Sequence, residues 1–417
     1  MVPASASVLL SDPATYVQGV PHEEFARLRG ETPVTWMPEV PLRRHSKSGG
    51  RSVAGTGFWA VLRHADVVTV SRQADIFSSG ARGAFLSDPL STQDLERTRQ
   101  SLINMDAPEH TRLRQAVTEV FTPATVHALT ASIKAHSEAV VARAREKGEF
   151  DIVQDLAAEL PLLVLTDLLG VPREDRSKMF EWSNNLVGFD DPEYGQGNVE
   201  RYHRTYVEAF LYIRDLAEAK RRRPGDDLTS KLVAAEIDGR PLTDTEFCNL
   251  WLLLVVGGNE STRHFLSGSL LALCEWPEQR NRLIESDRLM RTAVEELLRW
   301  ISPIMQFRRT VIRDVMLGGQ HLKAGDKVVV YYIAANRDPE VFTNPEDLDL
   351  ARTSNPHLAF GVGPHFCLGA RLARVEAAAL FEALRPHLHG LRVTGPAVRL
   401  ESNFMNGIKS IPACFAG

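Results

Sequence analysis

The segment PLTDTEFCNLWLLLVVGGNESTRHFLSGSLLALCEWP, from Pro241 to Pro277, has no proline between its ends. Thr243 and Glu246 stand at capping-box spacing at its start, so the pattern predicts one helix of about thirty residues. Few globular helices reach that length, and any fold for this chain has to be built around it. Its most apolar run, LWLLLVVGG from Leu250, meets Glu260 and Arg263 well before the roughly 20 residues that cross a bilayer. The helix is therefore expected inside protein, not lipid.

The chain has 417 residues, 44% hydrophobic and 24% charged, enough to bury a large core. No fixed-period repeat or low-complexity linker divides it, and we read residues 1–417 as a single domain. From about 100 to 300 the pattern is helical; TVHALTASIKAHSEAVVARAREKG carries apolar residues at helical spacing and stops at Gly148. β-rich segments are expected at the flanks, mostly 30–80 and 310–417. There RRHSKSGGRSVAGTG, from Arg43, reads as a flexible insertion between the strand-like PVTW and FWAVL. VMLGGQHLKAGDKVVVYYIAANRD reads as two short strands around turns.

The stretch MVPASASVLLSDPATY lacks the basic segment and apolar core of a secretory leader, and a cytoplasmic protein without a membrane anchor is expected. A net charge of −5, with both signs interspersed, offers no electrostatic case for nucleic-acid binding. The sharpest basic run, KRRRPGDD from Lys220, meets a Pro-Gly turn and two acids and reads as a solvated helix end. The four cysteines, Cys248, Cys274, Cys367 and Cys414, form no C-x-x-C pair, which argues against a disulfide framework, a cysteine-rich zinc site or covalent c-type heme attachment.

Cys367 lies in FGVGPHFCLGARLARVE, a glycine-rich turn running into a helix. Unpaired N–H groups at a helix start favour a thiolate, which suits a metal ligand or a nucleophile with His365 nearby. A buried structural thiol is the ordinary reading of the cysteine alone. A dinucleotide loop fails, because G-x-G-x-x-G would need glycine where Phe366 stands.

Taken together, F-G-x-G-x-H-x-C-x-G from Phe360 to Gly369 resembles the heme-binding loop of the cytochrome P450 heme-thiolate monooxygenases. The resemblance implies that Cys367 is the metal ligand, its axial thiolate binding the iron of heme b. Gly361 and Gly363 would allow the turn, Phe360 would shield the sulfur, Gly369 would admit the following helix and His365 would bond a propionate. Thiolate ligation favours O–O cleavage. NMDAPEHTRLR places His110 and Arg114, and FRRTVIRD places Arg309, at the family's propionate positions; a buried dianion needs such donors. In EELLR, Glu296 and Arg299 share a helix face; by resemblance they meet Arg352 of LDLART in a structural cluster. In GGNEST, Gly257 and Gly258 cost roughly 1 kcal/mol each against alanine and call for a reason. Close helix packing is the structural one; room for O2 and substrate is the one the resemblance implies. Glu260 and Ser261 would form the proton-relaying acid–alcohol pair, with Ser261 where threonine is usual and Thr262 following. Serine can still bond the carbonyl one turn back.

The resemblance covers nearly the whole chain and implies a mainly α fold with small β-sheets, a triangular prism with heme between the long helix and the cysteine-loop helix. It implies a monomeric bacterial monooxygenase that inserts one oxygen atom of O2 into a C–H bond. Electrons would come from NAD(P)H through a separate ferredoxin or flavodoxin and a reductase, an acidic partner docking near Arg112, Arg371 and Arg374. SRQADIFSS, NMDAPEHTRLR, NLVGFDDPEY and FMNGIK are similar to the actinobacterial branch acting on sterol side chains and methyl-branched lipids. By family position Leu186, Val187, Val256, Met305, Phe404 and Met405 would line the pocket for a bulky hydrophobic substrate. The alternatives are a tailoring oxygenase of polyketide, terpenoid or aromatic natural products, and a heme-binding sensor without turnover.

Overall fold

The proline-free segment forms one helix, Asp244–Glu275, of 32 residues. In the computed structural model, which describes residues 9–46, 49–89 and 91–416, it runs through the middle of the helical layer. Residues 1–8, part of the segment read for a leader, lie outside the described residues. At 1.5 Å per residue this central helix is about 48 Å long. Both halves of the capping box form. The Glu246 N–H donates to Thr243 Oγ1 at 3.2 Å, and the Thr243 N–H donates to the Glu246 carboxylate at 2.8 Å. Helices Glu159–Leu169, Arg176–Val187, Val199–Arg222 and Met290–Ile301 pack around it, which is why its apolar residues are not confined to one stripe. Helix Pro123–Lys147 ends at Gly148 with φ +76°, and packs on the cysteine-loop helix Ala370–Leu384. The basic run from Lys220 is the end of Val199–Arg222, with Lys220 bonded to Asp227 at 2.6 Å. Among the described residues no helix is long and apolar enough to cross a membrane.

The main sheet has five strands in the order Val34–Met37, Phe58–Val61, Lys327–Tyr331, Gln306–Val311, Phe77–Ser78. Only the pairing of Phe58–Val61 with Lys327–Tyr331 is parallel. Two expectations are corrected here. The insertion from Arg43 is not a loose loop: Leu42–Ser46 and Gly49–Val53 pair antiparallel as their own hairpin, so backbone pairing outweighs a composition poor in strand formers. The segment from Val315 holds three strands, not two, because Val315–Leu317 and Gln320–Leu322 close a hairpin at Gly318 and Gly319 before Lys327–Tyr331 begins. Both glycines have positive φ, which the turn requires.

Glu296 and Arg299 are fully buried on Met290–Ile301 and pair at 2.8 Å, and Arg352 Nε donates to Glu296 at 3.0 Å. Arg299 also donates to the carbonyls of Asn336, Pro345 and Asp347. The Asn336 side chain in turn accepts from the Leu358 N–H at 2.7 Å, and the Leu358 carbonyl accepts from Gly361 at 2.9 Å. The cluster thus reaches the cysteine loop through an unbroken chain of hydrogen bonds.

Candidate active site

The cysteine loop is shaped by two backbone positions. Gly361 and Gly363 sit at φ +69° and +79°, where a side chain is strained. A Cβ on Gly363 would also stand 2.5 Å from the Ser71 carbonyl oxygen. The Cys367 N–H donates to the Phe360 carbonyl at 2.9 Å, closing the loop just before helix Ala370–Leu384. Cys367 opens onto a cavity of about 700 Å³ that also touches the central helix. Burial pushes its thiol up, against the N–H groups of Gly369 and Ala370 and the charges of Arg114 and Arg374. Phe360 lines the cavity beside it, with the Arg374 guanidinium 4.5 Å above its ring.

A second set of groups adjoins the loop. His110 is buried, its Nε2 has no hydrogen-bond partner, and its ring centre is 4.2 Å from that of His365. His365 contacts Ser79 Oγ at 3.1 Å. Arg309 is buried with no carboxylate partner among the described residues; Arg114 bonds only the Phe366 carbonyl. Burial, then the nearby arginines, hold His110 down to about 4 and His365 down to about 2. The nearest acid, Asp106, is spent on Ser78 and the N–H groups of Ser79 and Gly80. Two guanidinium groups and an orphaned imidazole nitrogen with no free anion are what a buried dianion requires. Together with a thiol across a cavity, this donor set fits heme, whose iron takes a thiolate and whose propionates carry the missing charge.

On the central helix the two glycines divide the two readings between them. A Cβ on Gly257 would meet nothing within 4 Å, so that position leaves open space in the cavity. A Cβ on Gly258 would meet Leu165 at 3.1 Å, so close packing against Glu159–Leu169 is part of its role. Ser261 Oγ donates to the Gly257 carbonyl at 2.6 Å, one turn back. Thr262 borders the same cavity and is buried. Glu260 is held more firmly than the sequence suggests. Burial alone would raise its pKa, but an ion pair with Arg263 and the proximity of His264 hold it below the usual carboxylate range. Arg263 is held in turn by Asn184 at 2.8 Å. The Ile408 N–H donates to His264 Nδ1, so Nε2 carries the proton and faces Glu260 at 3.5 Å.

Leu186, Val187, Val256, Phe404 and Met405 all line the cavity. Met305 does not, and that expectation is corrected. It is fully buried in a separate core with Phe58, Val329 and Tyr331. Extended backbone alternates its side chains, and Ile304 and Gln306 take the cavity side. The basic surface is also smaller than expected. Arg112 pairs with Asp238, and Arg374 makes two bonds to Glu295, at 2.6 and 2.8 Å. Arg371 is exposed without a carboxylate partner among the described residues. Sequence reasoning missed Asn184, Arg263 and His264, which carry no motif, and Glu376, which stood unassigned inside the quoted loop.

The cytochrome P450 family model matches residues 54–385. A steroid C26-monooxygenase of Rhodococcus jostii is 39% identical over 402 residues, 96% of this chain and 83% of that protein. A methyl-branched lipid omega-hydroxylase of Mycobacterium tuberculosis is 39% identical over 397 residues, 94% of this chain and 90% of that protein. A solved structure, a Mycobacterium marinum cytochrome P450 in complex with pseudoionone, superposes with a TM-score of 0.89 at 38% identity, covering 99% of this chain and all of that one. The mainly helical fold, the thiol at the cavity and the cluster of His110, Arg114 and Arg309 without a carboxylate partner among the described residues agree with these matches, and the chain belongs to the cytochrome P450 family of heme-thiolate monooxygenases.

Proposed function

We propose that this P450 hydroxylates the side chain of a steroid or a methyl-branched lipid. The observation that carries the reading is the apolar wall formed by Leu186, Val187, Val256, Phe404 and Met405, joined to relatives named for those two substrate classes. Cys367 would hold the iron, while His110, Arg114, Arg309 and His365 would bind the propionates and fix the plane of the cofactor. Heme, when bound, supplies the oxygen-activating chemistry that thiolate ligation favours. The chain's own contribution is exclusion of water by the apolar wall and placement of a hydroxyl at Ser261, whose bond to Gly257 keeps it on the cavity side. The whole chain would act as one domain, with electrons delivered by a separate ferredoxin or flavodoxin and reductase.

The test is a ligand screen on the heme-loaded protein. Cholestenone-type steroids, methyl-branched fatty acids and macrolides are titrated while the Soret band is followed, then turned over with a surrogate ferredoxin system. Steroids or branched lipids should shift the band and yield hydroxylated product. A shift with macrolides alone would favour the tailoring alternative, and binding with no product from any of them would favour the sensor.

A further inference from the structure

The cavity wall is apolar at Leu186, Val187, Val256, Phe404 and Met405, yet two arginines stand where it meets solvent. Arg82 and Arg97 both line the cavity and are exposed, and neither has a carboxylate partner among the described residues. The fold holds them side by side. Residues 80–84 are fastened to the end of helix Thr92–Thr98: Arg99 donates to the carbonyls of Gly80 and Ala81, while Asn104 accepts from the Ala84 N–H and donates to the Thr98 carbonyl. A Cβ on Gly83 would stand 3.0 Å from the Thr98 methyl group. Arg82 and Arg97 immediately precede that contact, so both rise from one stretch of the rim. Carboxylates elsewhere on the wall are committed: Glu39 to Lys327, Asp88 to Arg308 and Lys327, and Asp190 to Arg44. Glu401 has no such partner, but the charges it faces are Asp191, Asp12, Asp190 and Lys409, so an anion is repelled from that side.

We propose that Arg82 and Arg97 determine specificity by binding the carboxylate of a methyl-branched fatty acid at the rim, which leaves the far end of the chain inside the cavity. The inference rests on the proposed function and deepens it: of the two substrate classes it selects the open-chain acid. An apolar wall with two cations at its open end is the complement of a long chain ending in a carboxylate. A steroid without an ionised group would leave both guanidinium groups unused. Arginine suits the task because its planar fork takes both carboxylate oxygens at once. Neither residue takes part in the oxygen chemistry. By holding one end of the chain they decide which carbon reaches the other.

The experiment titrates the heme-loaded protein with three ligands of one methyl-branched skeleton, the acid, its methyl ester and its primary alcohol, and follows the Soret band at low and high salt. The acid should bind on the order of tenfold more tightly than the ester at low salt, and the margin should narrow at high salt because the rim faces solvent. In the double variant Arg82→Gln, Arg97→Gln, acid and ester should bind alike, and turnover products should spread from the chain terminus to in-chain positions. The double variant Arg82→Lys, Arg97→Lys should keep most of the preference. Equal binding of acid and ester by wild type would overturn the proposal, as would a preference for the acid that survives Arg82→Gln, Arg97→Gln; either result leaves the proposed function standing. Steroids that shift the band where no branched acid does would overturn it and leave the steroid half of that function. No shift from either class would remove both.

Discussion

Glu260 and Arg263 stand one turn apart on the central helix, at 2% and 1% side-chain exposure. Two charges buried to that degree stabilise the fold only as a pair, so removing one strands the other. Arg263→Met should lower stability by about 3–5 kcal/mol, and the double variant Glu260→Gln, Arg263→Met should recover much of it. Chemical denaturation of the three proteins checks this, and equal losses in the single and double variants would mean the pair is not coupled. Ser261 is a different case, because its hydroxyl touches one carbonyl and the cavity. Ser261→Ala should leave the unfolding midpoint within about 0.5 kcal/mol of wild type. Product per NADH should drop, with the missing electrons found as peroxide or water.

Adjacent glycines on the central helix face different surroundings, and substitution should separate them. Gly257→Ala adds a methyl group to open space and should raise helix stability by up to about 1 kcal/mol while narrowing the cavity. Gly258→Ala gains the same propensity but presses on Leu165, so its net effect should be smaller or destabilising. Thermal unfolding of both variants distinguishes the two. The start of the helix depends on pH. A hydrogen bond from Arg240 is the main reason Glu246 is drawn down to about 2 in the folded protein, below its ordinary 4.5. With the folded value depressed, its stabilising contribution is full above the ordinary carboxylate range and is lost as pH falls toward about 2. Glu246→Gln should therefore destabilise the protein at neutral pH, and the difference should fade in acid. The helix itself was legible from its proline-free span and capping spacing, because those are local signals. The hairpin at Leu42–Val53 was not, since its strands are specified by each other and not by their composition.

For the molecule as a whole, the proposed approach of an electron donor rests on charge on the cysteine-loop side. Arg112 and Arg374 are neutralised internally, so the proposed docking surface depends on Arg371. Arg371→Glu should slow reduction by an acidic ferredoxin, more at low salt than at high, while leaving the heme spectrum intact. Equal rates at low salt would remove Arg371 from that surface. The length of the central helix and the shared face of Glu296 and Arg299 were readable from local spacing alone. The roles around Cys367 and the meeting of that pair with Arg352 came from resemblance to a family, because neither is written in short-range spacing. What the sequence left open was decided by packing. Met305 turned into a core instead of the cavity because strand alternation assigns faces only once the sheet is in place. Glu260 became a clamped anion because the fold set Arg263 beside it, while burial without a hydrogen-bond partner for Oε2 pushes the Glu376 carboxyl up. Identical carboxyl groups differ in charge only through their neighbours, and neighbours distant in sequence are supplied by the tertiary structure.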